Sequence, residues 1–303
     1  MDITEEIASL KAERKAVVLA HNYCLPEVQD IADFTGDSLE LSRKAVEVDA
    51  EVIVFCGVYF MAETAKILNP ARKVLIPDPS AGCAMADMVS ASDVVEMKRK
   101  YPGAKAVCYV NSTAAVKAEC DLCVTSGNAE KVMTSLKGQE IIFVPDCHLG
   151  GYVSSLLGEK YHCWNGFCPV HAALELSDVA EGRRKADQTP GESLVLVHPE
   201  CDKSVRDAAD HCLSTGGMCS FVKSSPVEKF IIGTEAGILH RLEKENPTKK
   251  FIPIGDIVCP DMKKITLEKI AAVLRDMSCQ VELDADTIVH ARRPIERMLE
   301  LSV

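Results

Sequence analysis

Three times along this chain a short β-branched run ends in a histidine or tyrosine, at His21, Tyr109 and His198, 88 and 89 residues apart. A recurrence on that scale marks repeated units rather than one open sheet. In the first unit, residues 16–21, 51–56 and 73–77 read as strands, separated by amphipathic helices near 37–48 and 62–68. This β-α-β-α-β grammar belongs to a parallel sheet with helices on its faces. The second unit reads as strands at 106–110, 120–125 and 140–145 with a helix near 129–136. In the third, strands are expected at 193–197, 220–222, 229–232 and 250–254, with a helix near 235–243. The expectation is an α/β fold of three pseudo-threefold-related α/β/α sub-domains with parallel sheets around a shared centre. Their approximate spans are 1–85, 86–172 and 173–303, and the chain is free to cross between them.

Ligands of open parallel sheets bind beyond the carboxyl ends of the strands, so the strand ends are where chemistry is expected. The first strand of each unit ends in a polar pair at i and i+2, on one side of an extended chain. These pairs are His21 and Tyr23, Tyr109 and Asn111, and His198 and Glu200. A single pair of this kind is usually a satisfied strand end. Three at matching positions point to acid–base or binding work. Thr35-Gly-Asp-Ser38, Thr125-Ser-Gly-Asn128 and Ser214-Thr-Gly-Gly217 add hydroxyls and flexible backbone suited to helix starts and to anions.

Fourteen cysteines are many for a chain of 303 residues, and most suit burial as small hydrophobes. Cys56, Cys108 and Cys147 lie in or beside apolar runs. Three others stand in Gly/Pro loops, one per unit: Cys83, Cys168 and Cys259. Each is read as following its unit's third strand. Three thiolates suit a [4Fe–4S] cubane with one open iron better than structural zinc, which takes four ligands. Cys120-Asp-Leu-Cys123 reads as structural, and Cys163 as a weaker competitor. Cys201, Cys212 and Cys219 have no counterpart in the first unit.

The net charge of −11 argues against a nucleic-acid surface. Apolar runs are too short for a membrane span, and the first residues do not resemble a signal peptide. A cytoplasmic protein is expected. Neither a Walker sequence nor G-x-G-x-x-G occurs, so no nucleotide cofactor is indicated.

Several motifs together resemble the quinolinate synthase (quinolinate synthetase A) family. In the N-terminal half they are His21-Asn-Tyr23, Phe55-Cys-Gly-Val-Tyr-Phe-Met-Ala-Glu-Thr-Ala65, Ala81-Gly-Cys83 and Tyr109-Val-Asn111. The C-terminal half adds Trp164-Asn-Gly-Phe-Cys168-Pro-Val-His171, His198-Pro-Glu200, Gly233-Thr-Glu235 and Cys259-Pro-Asp-Met. Tyr59 stands where many relatives have histidine. The resemblance implies condensation of iminoaspartate with dihydroxyacetone phosphate to quinolinate, phosphate and water, on the route to NAD. It implies that Cys83, Cys168 and Cys259 hold the cluster, whose open iron acts as a Lewis acid. His21, Tyr23, Tyr109, His198 and Glu200 take catalytic roles by the same resemblance. Binding of substrate falls to His21, Ser38, Tyr109, Asn111, Ser126, His198, Glu200 and Thr215. Iminoaspartate would arrive from an aspartate-oxidising enzyme, and the chain would act as monomer or homodimer. The rival readings are another cluster-dependent hydro-lyase, an electron-transfer or cluster-carrier protein, and a structural zinc protein.

Overall fold

A computed structural model describes residues 2–302. It contains three parallel four-stranded sheets. The first is built from β1 (Ala16–His21), β2 (Phe34–Gly36), β3 (Val52–Cys56) and β4 (Lys73–Leu75). The second comprises β5 (Lys105–Tyr109), β6 (Leu122–Val124), β7 (Ile141–Val144) and β8 (Tyr161–Cys163). The third comprises β9 (Ser193–Val197), β10 (His211–Cys212), β11 (Lys229–Gly233) and β12 (Lys250–Pro253). Their strand orders are β2-β1-β3-β4, β6-β5-β7-β8 and β10-β9-β11-β12, one topology used three times. The α/β class and the threefold repetition agree with the reading of the sequence.

Each sheet has four strands where the sequence reading found three in the first two units, and the differences have local causes. The edge strands β2, β8 and β10 are two or three residues long, too short to show alternation. The run 120–125 is an edge strand equivalent to β2, whereas 140–145 contains the inner strand β7. Residues 220–222, expected as a strand, lie within the helix Thr215–Ser224. Ser214 caps that helix by accepting from the Gly217 amide, and Met218 and Val222 bury one face of it. A four-residue spacing of apolar positions therefore overrode the β-favouring Phe221-Val222 pair.

The middle residues of the central strands are apolar because both faces are covered. Val18, Leu19, Ile53, Val54, Val107, Ile142, Leu196 and Ile231 have no exposed surface. The first and third sheets share one core, in which Leu19 and Phe55 cluster with Leu196, Phe230 and Met218. The C-terminal stretch crosses back over the other sub-domains. Val281 donates to the Val74 carbonyl beside β4, and Ala291, Ile295 and Met298 of the helix Ala285–Leu301 join the core of the second sheet.

The ladder registers align the strand ends. His21 lies opposite Gly36, Tyr109 opposite Val124, and Cys212 opposite Val197. The chain beyond each edge strand therefore emerges beside the end of its central strand. Ser38 and Thr215 are the first residues of helices, behind the caps Asp37 and Ser214. Ser38, Ser126 and Thr215 repeat at 88 and 89 residues, the interval that separates the central strand ends.

Candidate active site

The three sets of strand ends enclose one cavity of about 430 Å³. His21, Tyr23, Ser38, Cys83, Tyr109, Asn111, Ser126, Cys168, His198, Glu200, Thr215 and Cys259 all line it. Every residue singled out from the sequence thus reaches one space, whereas Cys120, Cys123, Cys163, Cys201, Cys212 and Cys219 do not line it.

Glu200 is the hub. Tyr109 donates its hydroxyl proton to Glu200 Oε1 at 2.6 Å, and Asn111 Nδ2 lies 3.4 Å from the same oxygen. His171 Nδ1 stands 2.8 Å from Oε2. Burial pushes this carboxyl upward, but interaction with His171 and His198 and the hydrogen bond from Tyr109 outweigh it, so Glu200 is held below the usual carboxylate range. Burial, reinforced by the Glu200 charge, raises the Tyr23 and Tyr109 phenols well above 10. Both phenols keep their protons at neutral pH.

The two repeat histidines are set alike. The Tyr23 amide donates to His21 Nδ1 at 3.2 Å, and the Glu200 amide to His198 Nδ1 at 3.3 Å. Each imidazole is therefore the Nε2–H tautomer. Burial pushes both down to about 3, so both are uncharged near neutrality. His198 Nε2 reaches Ser126 Oγ at 3.2 Å. Among the described residues no lysine or arginine lines the cavity, and the N-termini of the helices Ser38–Glu47 and Thr215–Ser224 contribute anion-favouring potential. Asn111 Oδ1 is buried without a partner, a free acceptor beside Glu200.

Several site residues were missed by sequence reasoning. His171 is 2% exposed and bridges Glu200, Cys168 Sγ at 3.3 Å and Thr234 Oγ1 at 2.8 Å. Thr234 also meets the Tyr23 hydroxyl. Glu235, fully buried, accepts from Lys263 Nζ at 2.8 Å, the Cys259 amide at 3.1 Å and the Gly237 amide at 2.7 Å. Asp37 Oδ2 accepts from Ser214 Oγ and the Gly216 amide, both at 3.2 Å, tying the first sub-domain to the third. A signal for Glu235 did exist. It repeats Asp146 and Val58 at 89 and 88 residues, one repeat interval each.

The cysteine loops needed one correction. Cys168 follows β8, the fourth strand of its sheet, as Cys83 follows β4 and Cys259 follows β12. The three loops share a further bond. The amides of Tyr59, Cys147 and Ala236, one repeat apart, donate to the carbonyls of Ala81, Gly166 and Ile257 at 2.7, 2.8 and 3.1 Å. Each carbonyl lies two residues before its cysteine, so the thiols are equivalent although their sequence spacing is uneven.

The donor set can be tested against the metal it would hold. Among the described residues, the three donors that converge within 4.8 Å are those of Cys168, His171 and Glu200, not the three loop thiols. A tetrahedral zinc with Zn–S bonds of about 2.3 Å would bring sulfurs to ~3.8 Å of one another. The three loop thiols do not converge on one ion, and a polynuclear cluster, whose cysteines bind separate irons, does not require them to. Burial raises the Cys83 thiol to about 12 and lifts Cys168 and Cys259 as well. Each thiol therefore keeps its proton at neutral pH unless a bound cation takes the proton's place.

Comparison with known proteins identifies the family. A family profile described as quinolinate synthetase A protein matches residues 5–300. The chain is 50% identical over 300 residues to a quinolinate synthase of Dehalococcoides mccartyi (strain CBDB1), covering 99% of this chain and 98% of that one. It is 51% identical over 306 residues to a quinolinate synthase of Pyrococcus abyssi, covering both chains fully. A quinolinate synthase of Geobacter metallireducens is 49% identical over 300 residues, 99% of this chain and 97% of that one. With this match spanning its sheets, its cavity and all three cysteine loops, the chain belongs to the quinolinate synthetase A family.

Proposed function

We propose that the chain is a quinolinate synthase that condenses iminoaspartate with dihydroxyacetone phosphate, releasing quinolinate, phosphate and water for NAD biosynthesis. The observation that carries this reading is the convergence of three loop thiols and three polar strand-end pairs on one cavity. Cys83, Cys168 and Cys259 would hold a [4Fe–4S] cluster, which supplies Lewis-acid chemistry at its open iron.

The remaining chemistry falls to the chain's own groups. Glu200, ionised and held by Tyr109, is placed to accept a proton from substrate carbon. Tyr23, and His21 through Nε2–H, can donate to oxygen as the triose portion isomerises and loses water. Asn111, Ser126 and His198 offer hydrogen bonds to the dicarboxylate. Ser38 and Thr215 sit on helix N-termini, which favour phosphate or carboxylate. Burial of these groups excludes bulk water and strengthens each such bond. Among the described residues no helix is long and apolar enough to cross a membrane, in keeping with a cytoplasmic setting.

The test combines anaerobic iron and sulfide quantification with a coupled assay. Wild type should carry four irons per chain, and Cys83→Ser, Cys168→Ser and Cys259→Ser should each lose the cluster. Supplied with both substrates, the loaded enzyme should form a product absorbing as a pyridine dicarboxylate. A full cluster in Cys259→Ser would overturn the ligand set. A loaded enzyme forming no such product would favour a hydro-lyase acting on another hydroxy acid.

A further inference from the structure

The sequence Cys168-Pro-Val-His171 places a thiol and an imidazole on one short turn, and Glu200 arrives opposite from the third sub-domain. His171 Nδ1 lies 3.3 Å from Cys168 Sγ and 2.8 Å from Glu200 Oε2, and all three donor atoms fall within 4.8 Å of one another. The outer atoms are already held. His171 Nε2 meets Thr234 Oγ1 at 2.8 Å, and Glu200 Oε1 takes the Tyr109 hydroxyl at 2.6 Å and faces Asn111 Nδ2. Such outer bonds orient ligands in metal sites and fix the imidazole tautomer. One sulfur, one nitrogen and one carboxylate with a fourth side open to a cavity is the pattern of a three-ligand zinc site.

We propose that, in the chain lacking its cluster, Cys168, His171 and Glu200 form a mononuclear site for a thiophilic divalent cation such as zinc, and that its occupation blocks cluster assembly. The blocking effect rests on the reading of Cys168 as a cluster ligand, whereas the cation site does not. On binding, the Cys168 thiol proton leaves to solvent. The proton on His171 Nδ1 is replaced by one on Nε2, facing Thr234. One proton is released per ion, and thiolate and carboxylate together balance the two positive charges. The same ion would occupy Glu200, so this state is inactive twice over: it lacks one cluster ligand and its base is engaged.

The experiment uses the anaerobic full-length apo chain. Zinc is titrated against a chromophoric chelator, and cobalt(II) serves as the spectroscopic probe. One tight ion per chain is expected, with a thiolate-to-cobalt charge-transfer band that Cys168→Ser abolishes. His171→Ala and Glu200→Gln should each weaken zinc at least tenfold, the lower end of what loss of even an outer ligand costs. The double variant C83S/C259S should bind zinc with wild-type affinity. Wild type preloaded with zinc should fail to take up iron and sulfide, and His171→Ala treated alike should take them up. Unchanged zinc affinity in His171→Ala, or loss of the site in C83S/C259S, would overturn the proposal. Cluster retention in C83S/C259S would instead sink the ligand assignment and leave the zinc result standing.

Discussion

Tyr109 donates a 2.6 Å hydrogen bond to Glu200, a residue 91 positions further along the chain and in a different sub-domain. The second sheet thereby holds the carboxylate that the third sheet supplies, and Asn111 approaches the same oxygen. A charged acceptor buried to 3% exposure depends on such donors to stay ionised.

Removing that donor should raise the proton affinity of Glu200, which stays ionised at neutrality, and leave its carboxylate free to turn away from the substrate. A hydrogen bond to a charged group contributes about 1.5–3 kcal/mol. Tyr109→Phe should therefore lower kcat/KM roughly 10- to 100-fold while leaving iron content intact. The acid limb of its pH profile should move to higher pH, because Glu200 no longer has the phenol stabilising its charge. An acid limb in the wild-type position would show that Glu200 is not the titrating base.

The neutral, buried histidines make the apo chain acid-sensitive. His21 and His198 sit at about 3 in the fold and near 6.5 when unfolded. Between those values the unfolded chain binds more protons, so stability is full above about pH 6.5 and falls as pH falls. Each group contributes a slope of about 1.4 kcal/mol per pH unit inside that window. Urea midpoints measured from pH 7.5 down to 4.5 should decline accordingly, and the double variant His21→Gln/His198→Gln should flatten the decline. An equal slope in wild type and double variant would rule out this origin.

Asp37 joins two sub-domains through one carboxylate. It caps the helix Ser38–Glu47 through the Leu39 and Glu40 amides, and its second oxygen serves Ser214 and Gly216. Asp37→Ala loses the cap, worth ~1 kcal/mol, and strands a buried amide, for a further 1–3 kcal/mol or so. Asp37→Asn keeps one acceptor and should lose clearly less. Chemical denaturation of the apo proteins measures both losses, and an Asp37→Asn variant as stable as wild type would mean that the cross-link to Ser214 and Gly216 contributes nothing.

The repeat made the threefold α/β plan legible, because the central strands are buried on both faces and read as unbroken apolar runs. Edge strands such as His211–Cys212 carry too little sequence to be seen, and Phe221-Val222 looked β-like although a cap at Ser214 commits it to helix. Among the site residues, His21, Tyr109 and Glu200 were visible because a strand end has a fixed register. His171 was not: its role comes from two sub-domains meeting, which no local pattern records. Asp37 was hidden for the same reason, reading as an ordinary helix cap until Gly216 arrived beside it.

The bonds from Tyr59, Cys147 and Ala236 to carbonyls two residues ahead of Cys83, Cys168 and Cys259 separate two kinds of chain length. Upstream of each bond, the path from its strand can gain or lose residues, as the unequal links already do, and the sulfur stays where it is. Downstream, the two-residue step is fixed, and an inserted residue there would swing the thiol away from its partners. Natural variation in loop length should therefore collect on the strand side of these anchors, leaving the metal-facing side constant in length.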